Sequence, residues 1–477
     1  MRRLNSPCWL AVLLVLTLTV RVAVHLSQPG SLALDNDAYI RLAINWAQSG
    51  IYGFDLPSPP SPLDAAQPSG ASTNASSDLQ VDQAEHGQIR PTAYRPPVYP
   101  WLLSWMVERG QLNTLGVAAL HLMLGLATAV IVYGIAVRLQ IGWPFLPAIA
   151  VACDPILLRA SQLPMTETLI TFLAMAVWGV WLLLVHIGER ADQRRWPGTS
   201  SALPLAVLLA VLLGVLLAVS VLTRPTMLPW AICIVLLLGL SGLRYRQRIA
   251  ISAVTAVVLL ALTAPWAVRN AHALGRPVWT TTHGGYTLLL ANNPSLYNHF
   301  KHSGASRDWD AEDFHQRWAK RGQGDPSDQR FWSGPLSGAG DAGPPLNELA
   351  DDRMAQQAAL ATRQRERLMF VKSCFIRVGW LWALAPNDGS LLLKWAVGSW
   401  YACWFAVAAI GAIKIAVGRT LRVWLVPAAL LITLTGIHAI YWSNMRMRAP
   451  LMPVIYVVAA LALTGQFQKK EHPAEKG

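Results

Sequence analysis

The chain has 477 residues, of which 53% are hydrophobic and only 14% charged, with 21 tryptophans. An ordinary soluble domain carries roughly 25% charged residues, so this composition excludes one and describes a polytopic membrane protein. The formal net charge of +13 is no nucleic-acid signature, because Lys and Arg cluster in short loops between apolar runs, as the positive-inside rule requires. The five cysteines (Cys8, Cys153, Cys233, Cys374, Cys403) are far apart, form no CxxC pair and mostly lie in apolar runs. They read as small apolar core residues, with no support for a disulfide framework or a zinc site.

In chain order, Arg2 and Arg3 precede an apolar run over 8–26 with no small-residue cleavage pattern after it. That pattern predicts an uncleaved first span with a cytoplasmic N-terminus. Arg21, inside the run, is expected to face other helices or reach the far interface. Asp35 and Asp37 follow directly, and a carboxylate so close to hydrocarbon is costly without a partner or a function. A single Asp there more often just ends a helix in a solvated loop. Residues 28–111 form the first outer loop. Within it, 38–46 places Tyr39, Leu42, Ala43 and Trp46 on one helical face, predicting a short interfacial helix. Residues 55–89 are rich in Pro, Ser, Asp, Gln and Ala and read as a mobile loop. Its Asn74-Ala75-Ser76 matches a glycosylation sequon, with chance the favoured reading. A second interfacial helix is predicted over 99–107, opened by Pro100.

A span needs about 20 apolar residues. Spans are predicted over 8–26, 115–137, 143–153, 168–187, 203–222, 227–243, 249–267, 391–417, 423–441 and 451–464. The fold class is therefore all-α and polytopic, with about ten transmembrane helices. The short 143–153 segment is expected to be strongly tilted or partly re-entrant. This count puts Arg138, the 189–195 loop, 244–248, 419–422 and Lys469-Lys470 on the side of Arg2 and Arg3, which makes both termini cytoplasmic. On the opposite face fall the Asp35 loop, 154–167, Thr223-Arg224-Pro225, 269–387 and 442–450. The long outer segment contains a Gly/Pro/Ser-rich loop over 322–345 and a predicted helix over 346–378. Three parts result: a transmembrane module (1–268), an outer-face segment (269–390), and C-terminal spans with a short cytoplasmic tail (391–477). No internal repeat of fixed period is present.

The polar residues set abruptly at span ends all fall on the outer face: Asp35, Asp37, Arg95, Asp154, Glu167, Arg224, Arg269, Arg446 and Arg448. Each alone reads more readily as an interfacial anchor or a helix cap. Together they supply what transfer from an anionic lipid needs, a carboxylate to take a proton from an attacking hydroxyl and guanidinium forks to hold a phosphate. The sequence has no GxxxxGK[ST], no GxGxxG after a strand, no HExxH and no GxSxG signature. His299 and His302 with Asp308 and Asp310 lack fixed ligand spacing and read as solvated polar residues rather than a metal cluster.

The order of these pieces resembles the GT-C superfamily of integral-membrane glycosyltransferases, particularly the bacterial branch similar to protein O-mannosyltransferases and the lipid A aminoarabinose transferase. The resembling motifs are Leu34-Asp35-Asn36-Asp37-Ala38-Tyr39 with Ala43, Arg95-Pro96-Pro97-Val98-Tyr99-Pro100, Pro164-Met165-Thr166-Glu167, Leu222-Thr223-Arg224-Pro225, Pro265-Trp266-Ala267-Val268-Arg269-Asn270 and Arg446-Met447-Arg448-Ala449-Pro450. Each is weak alone; their order carries the resemblance. The family's first outer loop holds a catalytic Asp, often followed directly by Glu, with Tyr four residues after the Asp. Asp35 matches that position, Asn36 replaces the second acid, and Asp37 makes an Asp-x-Asp as in metal-using branches. Either Asp is thus a candidate base, and a divalent cation at Asp35 and Asp37 is an option; no other cofactor is implied. The resemblance implies sugar transfer from a polyprenyl-phosphate donor to a lipid, glycan or protein acceptor, with membrane lipids as surroundings and no nucleic acid. Arg269, Arg446 and Arg448, then Arg95 and Arg224, are the donor-phosphate candidates; Tyr39, Glu167, Tyr99 and Asn270 are expected in the substrate cavity. Asp35, Glu167 and Arg269 are expected to line one cavity, with 269–387 as a cap and Gly284-Gly285 as a close-approach or hinge point. The alternative is a lipid or solute transporter, which places ionisable residues near the midplane and often shows inverted repeats. A structural assembly protein would leave Asp35 and Asp37 dispensable.

Overall fold

The computed structural model describes residues 7–28, 30–35, 37–55, 89–192, 202–334, 347–417 and 421–464. Helix α1 (Pro7–Ser27) is apolar on nearly every side, as a helix in hydrocarbon should be. The chain then forms α2 (Tyr39–Ser49), the strands β1 (Gly53–Asp55) and β2 (Ile89–Pro91), and α3 (Val98–Ser104). Helices thus stand where 38–46 and 99–107 were expected to be helical, the second ending at Ser104. Asn74 and most of the 55–89 loop lie outside the described residues. The loop's ends are paired, because β1 and β2 run antiparallel with Gly53 opposite Pro91 and Asp55 opposite Ile89. A two-residue pairing of β3 (Val107–Glu108) with β4 (Gln111–Leu112) leads into α4 (Thr114–Arg138). Asn113 caps α4 by accepting from Gly116 N at 3.1 Å, a partner for one of the amides that a helix start leaves unpaired.

The bundle continues with α5 (Phe145–Ala152), α6 (Pro155–Ser161), α7 (Glu167–Asp192), α8 (Ala202–Thr223), α9 (Leu228–Leu237) and α10 (Tyr245–Leu274). After the outer segment come α17 (Leu391–Val417), α18 (Leu425–Ile440) and α19 (Met452–Thr464), the last preceded by a 3₁₀ stretch over Met445–Leu451. Eight helices among the described residues are long and apolar enough to cross a membrane. The two other expected spans are not among those eight. Residues 227–240 of the expected 227–243 span fall in a shorter apolar helix, Pro225–Leu240. The 143–153 segment supplies only the eight residues of α5, about 12 Å of rise. Asp154 ends it by capping α6, accepting from Leu157 N at 2.7 Å with Pro155 in the first turn. The broken pair α5–α6 still runs between the ends of the bundle. Gly142 N donates to Thr464 Oγ1 at one end, while Gln162 Nε2 donates to Val24 O near the other. The α7 span and the Met445–Thr464 span are the central ones, 78% and 72% buried, whereas the α1 and α17 spans are 17% buried and form the rim.

The segment between α10 and α17 carries α11 (Gly284–Ala291), α12 (Pro294–Ser303), α13 (Glu312–Ala319), α14 (Gln329–Ser333), α15 (Glu348–Arg365) and α16 (Arg367–Leu381). The single helix predicted over 346–378 is two, because Glu366 leaves helical geometry (φ −119°, ψ 56°) and turns the chain. This lets α15 pack on α11 around Leu288, Leu289, Phe314, Ala355, Ala358 and Ala359, while α16 ties back to the bundle. Arg377 in α16 donates to Ala439 O at 2.8 Å and to Ala291 O, and Asn292 Nδ2 donates to Ile440 O at 2.9 Å. These bonds satisfy carbonyls at the ends of α11 and α18. A Cβ on Gly285 would overlap the backbone oxygen of Asp352, so the expected close approach is present. Gly285→Ala should force α11 from α15 and cost about 1–3 kcal/mol, read as a lowered melting temperature beside an unaffected Gly284→Ala control.

Candidate functional site

A cavity of about 1060 Å³ opens between the outer segment and one end of the bundle. Its lower wall gathers Asp37, Tyr39, Arg95, Glu167, Arg224 and Arg446 from five separate stretches of chain. Glu167 heads the central helix α7, where a carboxylate is favoured by the helix dipole, and it is 2% exposed. Its Oε1 lies 3.4 Å from Arg224 NH1 and 3.2 Å from Arg446 Nε. Asp37 Oδ1 takes a 2.9 Å bond from Arg95 NH2, and its Oδ2 lies 3.9 Å from Arg446 NH2. Arg446 therefore bridges the two carboxylates. Burial opposes the Arg95 cation, but Tyr39, Tyr94 and Asp37 outweigh it and hold its pKa above the usual value. The cluster has three guanidinium groups against two carboxylates, a surplus of positive charge at a desolvated surface. Among the described residues, Glu167 Oε2, Thr226 Oγ1, His438 Nε2 and Ser443 Oγ are buried without a hydrogen-bond partner, and all but Ser443 belong to residues lining the cavity. Others lie away from the cavity, on Arg21, Ser241 and Arg448 among them, so these atoms are open positions in the lining rather than a mark of the site.

The opposite wall comes from the outer segment, so 269–387 does cover the cavity. Tyr94, His283, Tyr286 and Trp318 follow one another with ring centroids 4.4, 4.9 and 6.0 Å apart. Beside them stand Arg321 and three carboxylates of α15, Glu348, Asp351 and Asp352. Glu348 accepts from Thr92 Oγ1 at 2.7 Å, from Ala93 N at 3.0 Å and from Thr282 Oγ1, which pins the first loop to the outer segment. Burial pushes the His283 pKa down to about 3, with the Arg95 charge assisting. Burial pushes Asp352 up to about 6, against the Gly285 N–H bond and with help from Glu348. A raised carboxyl pKa means that folding favours the neutral form. The contribution is fully present below the ordinary value of 3.8 and is lost as pH rises through about 6. The melting-temperature difference between wild type and Asp352→Asn should therefore change between about pH 4 and pH 7, with wild type losing relative to the variant as pH rises.

Not all predicted residues meet here. Asp35 is absent from the lining; its carboxylate accepts from Ile40 N at 2.9 Å and Arg41 N at 3.0 Å and lies 3.4 Å from Arg41 Nε. It thus caps α2, whose approach through Ala38 is left-handed (φ 63°) and costly for a residue with a Cβ. Arg269 donates to Thr92 O and Tyr52 O, both at 2.6 Å, and fastens β1–β2 to α10. Asn270 donates to Val278 O at 2.8 Å. Tyr99 is buried edge-on against Tyr39 at 5.2 Å, its hydroxyl 3.0 Å from His121 Nε2. Arg448 is fully buried, donating to Leu381 O and Ala383 O over the Tyr401 ring. It diverges from Arg446 because the two stand two positions apart in a 3₁₀ turn of three. Asn36 lies outside the described residues. Asp35 and Asp37 address different partners, and no group of three or more His, Cys, Asp or Glu among the described residues is placed to hold a metal ion. His299 Nε2 pairs with Ser306 O and His302 Nδ1 with Asn298 O, while Asp308 and Asp310 accept local bonds. The residues missed by sequence reasoning are those of the upper wall. Glu348 and Asp352 share a helical face at i and i+4, a visible signal, but nothing in the sequence shows what that face meets.

No protein-family model and no curated protein matches the chain. Solved structures do. The apo oligosaccharyltransferase of Archaeoglobus fulgidus superposes with a TM-score of 0.50 at 16% identity, covering 95% of this chain and 50% of that one. The AglB oligosaccharyltransferase of the same organism, in complex with an inhibitory peptide and a dolichol-phosphate, gives 0.48 at 15% identity over the same shares. ArnT from Cupriavidus metallidurans bound to undecaprenyl phosphate gives 0.40 at 15% identity, covering 97% of this chain and 78% of that one. The chain thus spans about half the length of the oligosaccharyltransferases it resembles. At 16% identity the likeness to the apo oligosaccharyltransferase is one of fold.

Proposed function

We propose, taking this membrane-glycosyltransferase fold as premise, that the protein transfers a sugar from a polyprenyl-phosphate donor to a lipid, glycan or protein acceptor. The reaction is placed at the outer face of a bacterial inner membrane, with both termini cytoplasmic. The observation that carries the reading is the convergence of Asp37, Glu167, Arg95, Arg224 and Arg446 on one cavity at the end of an apolar bundle. In this reading Asp37 rather than Asp35 is the base. Its carboxylate accepts the proton of the attacking hydroxyl as that oxygen bonds to the anomeric carbon, and the carbon–oxygen bond to the phosphate breaks. Arg95, Arg224 and Arg446 hold the phosphate as it takes up charge, a role that the fork of Arg fills better than Lys. Attack and departure on opposite sides of one carbon give inversion, and Glu167 positions two of the arginines. Arg269 and Arg448 build the walls in this reading, since their guanidinium groups already hold backbone carbonyls.

A divalent ion between Asp35 and Asp37 would require Asp35 to release two amides of α2, so transfer by protein treated with EDTA is expected to stay at its initial rate. Mass spectrometry of envelope glycans and lipids with and without the gene tests the class. Loss of one sugar substituent is the expected result. An unchanged glycan profile with a lipid or solute held on one side of the membrane would replace this reading with a transporter.

A further inference from the structure

The upper wall has its own chemistry, separate from the arginine cluster. Of its aromatics, Tyr94 touches that cluster, with the Arg95 guanidinium 4.8 Å from its ring centre. Tyr286 and Trp318 stand two and three ring steps farther on. Both are half-buried and line the cavity. Both are held in place: the Tyr286 hydroxyl lies 3.1 Å from His315 Nδ1, and Arg321 lies 5.2 Å over the Trp318 ring while forking onto Asp351 at 2.9 and 2.8 Å. Of the three carboxylates here, Glu348 is occupied by three donors and Asp351 by Arg321. Asp352 Oδ1 takes Gly285 N at 2.6 Å, and its Oδ2 takes no bond from the described residues. A fixed aromatic face beside an open carboxylate oxygen, inside a cavity, suits a ligand with one apolar face and a hydroxylated edge.

We propose that this wall is a sugar subsite, in which a pyranose ring of the acceptor lies against Tyr286 and Trp318 and gives a hydroxyl hydrogen bond to Asp352. The proposal rests on the glycosyltransferase reading and deepens it by naming a glycan or glycolipid as the acceptor class. The ring is the acceptor's because a sugar joined directly to a phosphate at Arg95 spans one ring's width from it, and the subsite begins two ring steps beyond Tyr94.

Saturation-transfer NMR on the full chain in detergent tests this, with methyl α-D-mannopyranoside, methyl β-D-glucopyranoside and N-acetyl-tyrosine amide as probes. Radiolabelled undecaprenyl phosphate is bound in parallel. Wild type and Arg446→Gln are expected to saturate at least one glycoside, and Trp318→Ala and Asp352→Asn to weaken that signal by about fivefold or more. Trp318→Phe, which keeps an aromatic face, should retain it, and melting temperatures report whether each variant folds. Undecaprenyl phosphate binding should fall in Arg446→Gln alone. Absence of glycoside signal in wild type, or an equal signal in folded Trp318→Ala, overturns the subsite; signal from the tyrosine amide alone overturns it in favour of a peptide acceptor. Loss of undecaprenyl phosphate binding in every form, with glycoside binding intact, would instead overturn the donor reading and leave the subsite standing.

Discussion

Asp37→Asn is expected to cut sugar transfer by about a hundredfold to ten-thousandfold, whereas Asp35→Asn keeps the chemistry and loses about 1 kcal/mol of stability. The contrast follows from where the two carboxylates point. Asp37 faces the cavity between Arg95 and Arg446, so its amide replacement keeps shape and volume but accepts no proton. Asp35 holds the first turn of α2 through two backbone amides, and an amide oxygen can still accept one of them. Single-turnover transfer with purified donor separates chemistry from binding, since Asp37→Asn should still bind donor. An inactive, folded Asp35→Asn beside an active Asp37→Asn would reverse the assignment.

Removing Glu167 should unfold more protein than any other single change in the cluster. It sits between Arg224 and Arg446 with its side chain 3% exposed, and taking one partner from a buried ion pair costs about 3–5 kcal/mol because the remaining charges stay desolvated. Glu167→Ala is therefore expected to lower the melting temperature sharply, and Glu167→Ala combined with Arg224→Gln to recover part of the loss. Conversely, Arg446→Lys should weaken donor binding while leaving the fold intact, because a point charge replaces the fork that spans both carboxylates. A melting temperature for Glu167→Ala within a degree or two of wild type would show that the cluster is solvated and not a buried electrostatic core.

The lower wall was legible because the membrane arranges it. Glu167, Arg224 and Arg446 each interrupt an apolar run at the same end of the bundle, so hydropathy alone ranks them together. Hydropathy cannot tell which way a side chain turns once outside the apolar run. Arg269 and Arg446 look equivalent in sequence, yet one faces the carbonyls of Thr92 and Tyr52 and the other the cavity. Arg448 is turned away from Arg446 because residues two positions apart on a helical turn do not share a face, and the sequence alone does not say which of the two meets the cavity. The span count depended on length in the same way. Residues 143–153 are apolar enough for a crossing but break at Asp154, whose capping geometry is local and outranks the apolar run. Of the upper wall only the covering segment was legible and not its residues, because Tyr94, His283, Trp318 and Asp352 are brought together by contacts across long stretches of chain.

The pairing of β1 with β2 has an evolutionary consequence. Asp55 and Ile89 stand opposite one another, so whatever connects them begins and ends at a single point on the protein, and Arg269 clamps the base of that point by Tyr52 and Thr92. Closing a longer connection costs only about 0.6 kcal/mol per doubling of its length. The chain there is free to lengthen, shorten or acquire a new module while Asp37 and Arg95, on either side of the insertion, keep their 2.9 Å contact. Relatives of this protein can thus vary this connection without touching the Asp37–Arg95 contact beneath it.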